Sequence, residues 1–545
     1  MDTRHSPSPS PARPPCGAPR TSVRRPSRAT ARAAAALLTA SALLVSGCAA
    51  GQGSAVDGTV TAALAALPAS TPSALSPYYT QKLSWRECGA PGFQCATMKV
   101  PLDYDKPGSG EIKLAVSRKK ATGKGKPLGS LLVNPGGPGG SAIGYLQSYA
   151  AIGYPAEVRA RYDMVAVDPR GVARSEPVEC LDGRQMDAFT LTDTTPDDAR
   201  ERDALADADR KFAEGCGKHS ARLLRHVSTI EAARDMDVLR ELLGDEKLNY
   251  VGASYGTFLG ATYAGLFPHR TGRLVLDGAM DPSLDARRIN LDQTAGFETA
   301  FQAFAEDCVK QADCPLDGKD ATPAQVGDRL QKFFRELDAH PIPAGDADGR
   351  RLTESLATIG VIAAMYDQSS WEQLREALNS AMDENDGAGL LSLADSYYER
   401  DARGHYSNLM MANTAVNCLD LPPAFDGPEQ VEKVLPDFEK ASPVFGPSLA
   451  WSALNCTYWP VKATGEPHRI EAKGAAPIVV VGTTRDPATP YRWARSLARQ
   501  LSSGRLLTYE GDGHTAYGRG STCVDSAINT YLLRGTPPAQ GKRCT

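Results

Sequence analysis

The sequence has little that would commit it to metal, nucleotide or nucleic-acid chemistry. Among its 12 cysteines and eight histidines no Cys-x-x-Cys and no His-x-x-x-His spacing occurs, so neither a metal nor any other cofactor is expected. The glycine-rich run at 134–140 follows an apolar strand pattern, but it lacks the Gly-Lys-Ser/Thr ending of a phosphate loop. Basic residues do not outnumber acidic ones. There are 60 against 64, a formal net charge of −4, without the basic excess of a nucleic-acid binder. No internal repeat is evident, and nothing points to an obligate protein partner. The N-terminal apolar run, 33–45, falls short of the roughly 20 residues that cross a bilayer.

That run has a different use. Before it, residues 1–32 are rich in Pro, Ser and Arg, including Arg24, Arg25, Arg28 and Arg32. A basic region, a short apolar stretch and small residues make a secretory signal. Val45-Ser46-Gly47-Cys48 is similar to a bacterial lipobox, so 1–47 reads as a lipoprotein signal with Cys48 as the lipid attachment. An ordinary signal beside a chance cysteine is the plainer alternative, and would leave the protein fully secreted. With a lipid on Cys48, it would sit at the outer face of the cytoplasmic membrane. Arg24-Arg25 fits a twin-arginine signal poorly in its flanks, and Val23 is a second possible start. Residues 48–80 hold few large apolar side chains and read as a flexible tether.

The cysteines agree with export. Leaving out Cys16 and Cys48, ten remain in sequence-local couples: Cys88/Cys95, Cys180/Cys216, Cys308/Cys314, Cys418/Cys456 and Cys523/Cys544. An oxidising compartment makes disulfides the default. Connectivity is not fixed by sequence, so these short-loop pairs are an expectation.

Ordered sequence begins near Trp85. Residues 97–102 and 112–117 read as short strands, followed by unbroken apolar strands at 130–133 and 162–167. Ser228 with Glu231 has the form of a capping box opening a helix to Leu243, and 248–252 and 273–276 are further strands. Continuous apolar strands alternating with helices imply a parallel sheet covered on both faces. The alternation stops after Asp281-Pro282 and resumes at 477–482, a helix near 491–501, and 505–509. The expected organisation is a core at 81–282 and 475–545, with a mainly helical cap inserted at 283–474 over the strands' C-terminal ends, where such sheets place ligands.

Gly252-Ala253-Ser254-Tyr255-Gly256 matches G-x-S-x-G. The pattern serves a serine raised on a tight strand-to-helix turn, and here it stands between a strand and a helical stretch. A serine nucleophile needs a base, and the base an orienting carboxylate. His514 follows the late strand 505–509 in Gly511-Asp512-Gly513-His514. Two carboxylates compete for the third role. Asp486, after strand 477–482, is favoured; Asp277, one strand earlier, is the alternative. Asp512 reads as structural, and His269 as packing or capping the end of the nucleophile helix. The oxyanion needs two backbone donors: the N–H of Tyr255, and one from Gly136 or Gly137, without a choice between them.

These residues together resemble one family: the secreted tripeptidyl-aminopeptidase-like serine exopeptidases of actinobacteria, related to prolyl aminopeptidases. The resemblance runs from about 85 to 544. It is carried by Asn134-Pro135-Gly136-Gly137-Pro138-Gly139, Asp168-Pro169-Arg170-Gly171, Gly252–Thr257, Leu276-Asp277-Gly278, Cys418-Leu419-Asp420, Cys456-Thr457-Tyr458-Trp459-Pro460, Asp486–Pro490 and Gly513-His514. It implies an α/β-hydrolase fold with a mostly parallel sheet and a helical cap, Ser254, Asp486 and His514 as triad, and release of short units, tripeptides among them, from free peptide N-termini. A free ammonium needs carboxylates in a partly desolvated pocket. Asp420 and Glu298, with Glu306 and Asp307 behind them, are the candidates in the cap, Asp420 favoured by its nearness to an expected disulfide. The alternatives are an esterase or lipase on the same machinery and a non-catalytic surface lipoprotein. An intact Ser/Asp/His set argues against the last.

Overall fold

Strands of unbroken apolar residues need cover on both faces, and here each supplies two. The computed structural model describes residues 60, 62–316, 318 and 320–545. The expected signal sequence, Cys48 and the first part of the expected tether lie outside the described residues. Ten strands form one sheet: β1 (Arg86–Glu87), β2 (Phe93–Pro101), β3 (Glu111–Lys119), β4 (Ser130–Asn134), β5 (Asp163–Val167), β6 (Leu248–Ala253), β7 (Thr271–Asp277), β10 (Ile478–Arg485), β11 (Gly504–Asp512) and β12 (Lys542–Cys544). The short β8 (Ile342–Pro343) and β9 (Arg351–Leu352) pair by themselves. The order across the sheet is β1-β2-β3-β5-β4-β6-β7-β10-β11-β12. β1, β2, β3 and β5 pair antiparallel; from β5 onward every pairing is parallel.

Successive side chains along a strand point to opposite faces, and the packing follows that period. Leu132, Tyr250, Leu276 and Val480 join one core, under the helices Thr229–Leu243 and Tyr255–Leu266. Leu131, Val133, Val251, Val275, Val479 and Val481 join the other, under the helix Thr522–Arg534. Between β7 and β10 the chain leaves the sheet for a series of helices, from Ala286–Cys308 to Gly446–Ser452. This insertion has a core of its own around Phe297, Phe301, Phe304, Leu356 and Phe445. β10 then returns beside β7, with Ile478 opposite Leu274. This is an α/β-hydrolase fold: a mostly parallel sheet with a large helical insertion.

Ten cysteines lie among the described residues, and they form Cys88–Cys95, Cys180–Cys216, Cys308–Cys314, Cys418–Cys456 and Cys523–Cys544.

One expectation is corrected. The second half of the supposed tether is attached to the body. Leu64 N–H donates to Arg469 O and Leu67 N–H to Leu266 O, both at 2.9 Å. Ser76–Thr80 is helical, and Leu75 and Tyr78 are buried. Leu64, Leu67, Leu75, Tyr78 and Tyr79 join the main core, which composition does not reveal.

Candidate active site

Ser254 stands between β6 and the helix Tyr255–Leu266, with φ 56° and ψ −126°. A left-handed conformation is costly for a residue with a side chain, and this turn holds it from both sides. Its N–H donates to Asp277 O at 2.9 Å, and its own carbonyl accepts the N–H of Thr257 at 2.8 Å. The flanking glycines are required by contact. A Cβ on Gly252 would lie 2.3 Å from Gly256 O, and one on Gly256 2.9 Å from Asn134 O.

His514 follows β11. Its Nδ1 lies 2.8 and 3.0 Å from the two carboxylate oxygens of Asp486. Asp486 is 2% exposed and accepts the N–H groups of Ala488 (3.0 Å), Thr489 (2.9 Å) and Thr515 (3.2 Å). An acceptor so anchored fixes the imidazole's orientation and puts the Nδ1 proton toward the carboxylate. His514 Nε2 is buried and has no hydrogen-bond partner among the described residues. The Ser254 turn and the His514 imidazole both touch the stretch 277–278. Asp277 O holds Ser254, and a Cβ on the next residue, Gly278, would lie 3.1 Å from His514 Cε1. Such contacts commonly tighten only when substrate is bound.

Asp277 has a different task from the one considered for it. Its buried carboxylate accepts the N–H groups of Ala516 (3.0 Å) and Tyr517 (2.8 Å), so it braces the loop that carries His514. Burial pushes its pKa up. Asp512 pairs with Arg485, and His269 sits in the short turn Pro268–Arg270 behind the nucleophile helix.

The two glycines left open for the oxyanion donor differ. Gly136 N–H already donates to Asn134 Oδ1 at 2.9 Å, whereas the N–H groups of Gly137 and Tyr255 have no partner among the described residues. Gly136 acts instead through its missing side chain, which lets the loop rest on the Ser254 turn. Asp168 secures the next segment by accepting Ser141 Oγ (2.8 Å) and the N–H of Ile143 (2.9 Å). That use of Asp168 escaped the sequence, because nothing in its spacing ties it to Ser141.

The comparisons with known proteins bear on this arrangement. A family model described as TAP-like protein matches residues 442–544, the stretch that holds Asp486 and His514. Over 491 residues the chain is 38% identical to the serine protease Hip1 of Mycobacterium tuberculosis, covering 86% of this chain and 92% of that one. It is 37% identical over 463 residues to a carboxylesterase B of the same species, covering 83% and 86%. With the tripeptidyl aminopeptidase of Streptomyces lividans it shares 33% over 475 residues, covering 85% and 86%. The chain belongs to the tripeptidyl-aminopeptidase-like family. It is a serine hydrolase.

In this member of the family the carboxylates expected to meet a substrate amine are engaged elsewhere. Asp420 is 9% exposed. It accepts the Thr229 N–H at 2.8 Å and the Thr229 hydroxyl, which in turn accepts from the Tyr255 hydroxyl. Burial raises its pKa to about 7. It therefore caps the helix Thr229–Leu243 and reaches the residue after the nucleophile from behind. Glu298 accepts from Ser442 Oγ (2.7 Å) and Gln302 Nε2 (2.5 Å), and Asp307 pairs with Arg375. Glu306 is exposed on its helix. The expectation for Asp420 and Glu298 is corrected on this ground: sequence proximity to a disulfide does not decide which way a carboxylate turns. A cavity of about 660 Å³ lies beside Gly139 and Ser141, with Glu179, Asp182, Glu399 and His219 in its wall; Ser254, Asp486 and His514 are not among the residues that line it. Three groups of side chains among the described residues have ligand atoms close enough to share a cation, namely Asp103/His226/Glu231, Asp193/Asp338/Glu354 and Asp197/Asp198/Glu201. None includes Ser254, His514 or Asp486.

Proposed function

We propose that this chain is an exported serine peptidase that releases short peptides, tripeptides among them, from free N-termini through an acyl-enzyme. The reading rests above all on the His514–Asp486 pair, whose second imidazole nitrogen is left without a partner beside the Ser254 turn. Ser254 Oγ attacks the scissile carbonyl while His514 Nε2 takes its proton, and Asp486 stabilises the imidazolium that results. The N–H groups of Tyr255 and Gly137 receive the negative charge on the carbonyl oxygen. Collapse expels the amine, which takes the proton from His514. Water then enters by the same base and frees the acyl product.

A peptide substrate is favoured by two of the relatives' names, serine protease and tripeptidyl aminopeptidase. A free N-terminus is favoured by the activity named in the aminopeptidase relative. The helical insertion, 283–474, acts in this reading as the cap over the site. Export is supported by five disulfides, the mark of an oxidising compartment. A lipid on Cys48 would hold the protein at the outer face of the membrane.

The test is a panel of N-terminally free and N-acetylated peptide amides, with short-chain esters alongside and Ser254→Ala as control. Free peptides are expected to be cut, acetylated ones spared, and all turnover lost in the variant. Equal cleavage of acetylated peptides overturns the aminopeptidase reading. Turnover of esters alone would favour the activity named in the carboxylesterase relative.

A further inference from the structure

The imidazole assigned as base belongs to the core, yet its backbone is held by the insertion. His514 N–H donates to the carbonyl of Tyr366 at 2.8 Å, and the two rings stand edge to face, 5.5 Å apart at 85°. Tyr366 is the first residue beyond the helix Glu354–Met365, within the insertion. Its ring also packs against Phe297 and Tyr397, from two further helices of the insertion.

The other side of His514 is held through Arg519. Its Nη1 donates to His514 O at 2.6 Å, and its Nη2 pairs with Asp367 Oδ1 at 2.9 Å. Asp367 is the neighbour of Tyr366. Gly513 makes this close approach possible. With φ +89° it bears no side chain, and a Cβ there would lie 2.7 Å from Arg519 Nη1 and 3.0 Å from Tyr366 O. Both backbone polar groups of His514 therefore lead, directly or through one guanidinium, to two adjacent residues of the insertion.

We propose that Arg519 and Asp367 are positioning residues that couple the base to the helical insertion, so that the seating of the insertion sets how well His514 transfers a proton. The proposal rests on the reading of His514 as base. The Arg519 and Asp367 side chains are 22% and 49% exposed, and an ion pair so open to water adds little to folding. Its effect is geometric. A charge-assisted hydrogen bond to His514 O fixes the peptide plane from which the imidazole hangs, and small displacements of a reacting group are costly to rate.

Full-length Arg519→Met, Arg519→Lys, Asp367→Asn and the double variant Asp367→Asn/Arg519→Met would be compared with wild type and His514→Ala. The readouts are kcat, KM, the rate of Ser254 labelling by a fluorophosphonate, and Tm. Arg519→Met is expected to lower kcat on the order of 10- to 100-fold, with KM changed less than about twofold and Tm kept. Arg519→Lys should recover much of the loss, since an ammonium can still donate to His514 O. The double variant should be no slower than Arg519→Met, because both residues act through one chain of contacts, and labelling should slow in parallel with kcat. An unchanged kcat, a fall in KM alone, a loss that tracks Tm, or additive losses in the double variant overturns the coupling. A separate failure is visible in the control: wild-type turnover by His514→Ala removes the base itself, and the coupling with it.

Discussion

A methyl group on Gly136 would lie 2.5 Å from Ala253 O, 2.8 Å from Tyr255 N and 2.9 Å from Ser254 Cβ, and its φ is +97°. All three neighbours belong to the Ser254 turn, so the loop cannot yield without moving the Tyr255 N–H proposed as an oxyanion donor. Gly136→Ala is therefore expected to cost about 1–3 kcal/mol of stability through backbone strain. It should also lower kcat on the order of 100-fold, the scale of a lost oxyanion contact. Thermal unfolding and steady-state kinetics check the two effects separately. This residue also marks where sequence reasoning stops. The strand-end contexts of Ser254 and His514 can be read from the sequence. The sequence favours Asp486 over Asp277 but leaves both open, since each follows a core strand, and it is the direction of each carboxylate that tells them apart. Gly137 separates from Gly136 only once Asn134 Oδ1 is seen to take the N–H of Gly136.

Among the elements, the loop after β5 is fastened by one residue. Arg170, 1% exposed, donates to both oxygens of Asp235 at 2.7 Å. It also donates to the carbonyls of Leu102 (3.0 Å), His226 (2.8 Å) and Pro101 (3.2 Å). One guanidinium thereby ties the end of β2, the β5 loop and the helix Thr229–Leu243. Arg170→Met leaves the buried Asp235 without its cation and is expected to cost about 3–5 kcal/mol. Arg170→Lys should restore little, since a single ammonium cannot reach acceptors spread around a planar fork. Urea unfolding of both variants is the measurement. The Asp168-Pro169-Arg170-Gly171 motif was visible in the sequence, but its task was not, as Asp235 lies 65 residues away. The core strands were legible because being buried on both faces leaves an unbroken apolar run. β1, β8, β9 and β12 are two or three residues long and owe their form to partners. β12 is joined to the helix Thr522–Arg534 by Cys523–Cys544.

For the molecule as a whole, buried carboxyl groups oppose stability at neutral pH. Burial raises Asp209, Glu354 and Asp420 each to about 7. Each holds its proton more tightly folded than unfolded. The stability they contribute is thus full below about pH 4, the range of a free carboxyl, and is lost as pH climbs through about 7. Asp420→Asn keeps an acceptor for the Thr229 N–H and removes the titration. It is expected to flatten its share of that decline, so that the stability difference from wild type moves in the variant's favour between pH 4.5 and 7.5. Urea midpoints at the two pH values decide it, and a constant difference would refute it. A last consequence follows from the ends of the sheet. Ten strands side by side would ordinarily leave two long borders of unpaired backbone, each a template for another chain. Here the outermost strands, β1 and β12, are two and three residues long, carry Arg86, Glu87, Lys542 and Arg543, and cover only 94–95 of β2 and 507–509 of β11. Charge at the last paired strand is the ordinary way a wide sheet discourages a second copy from adding to it.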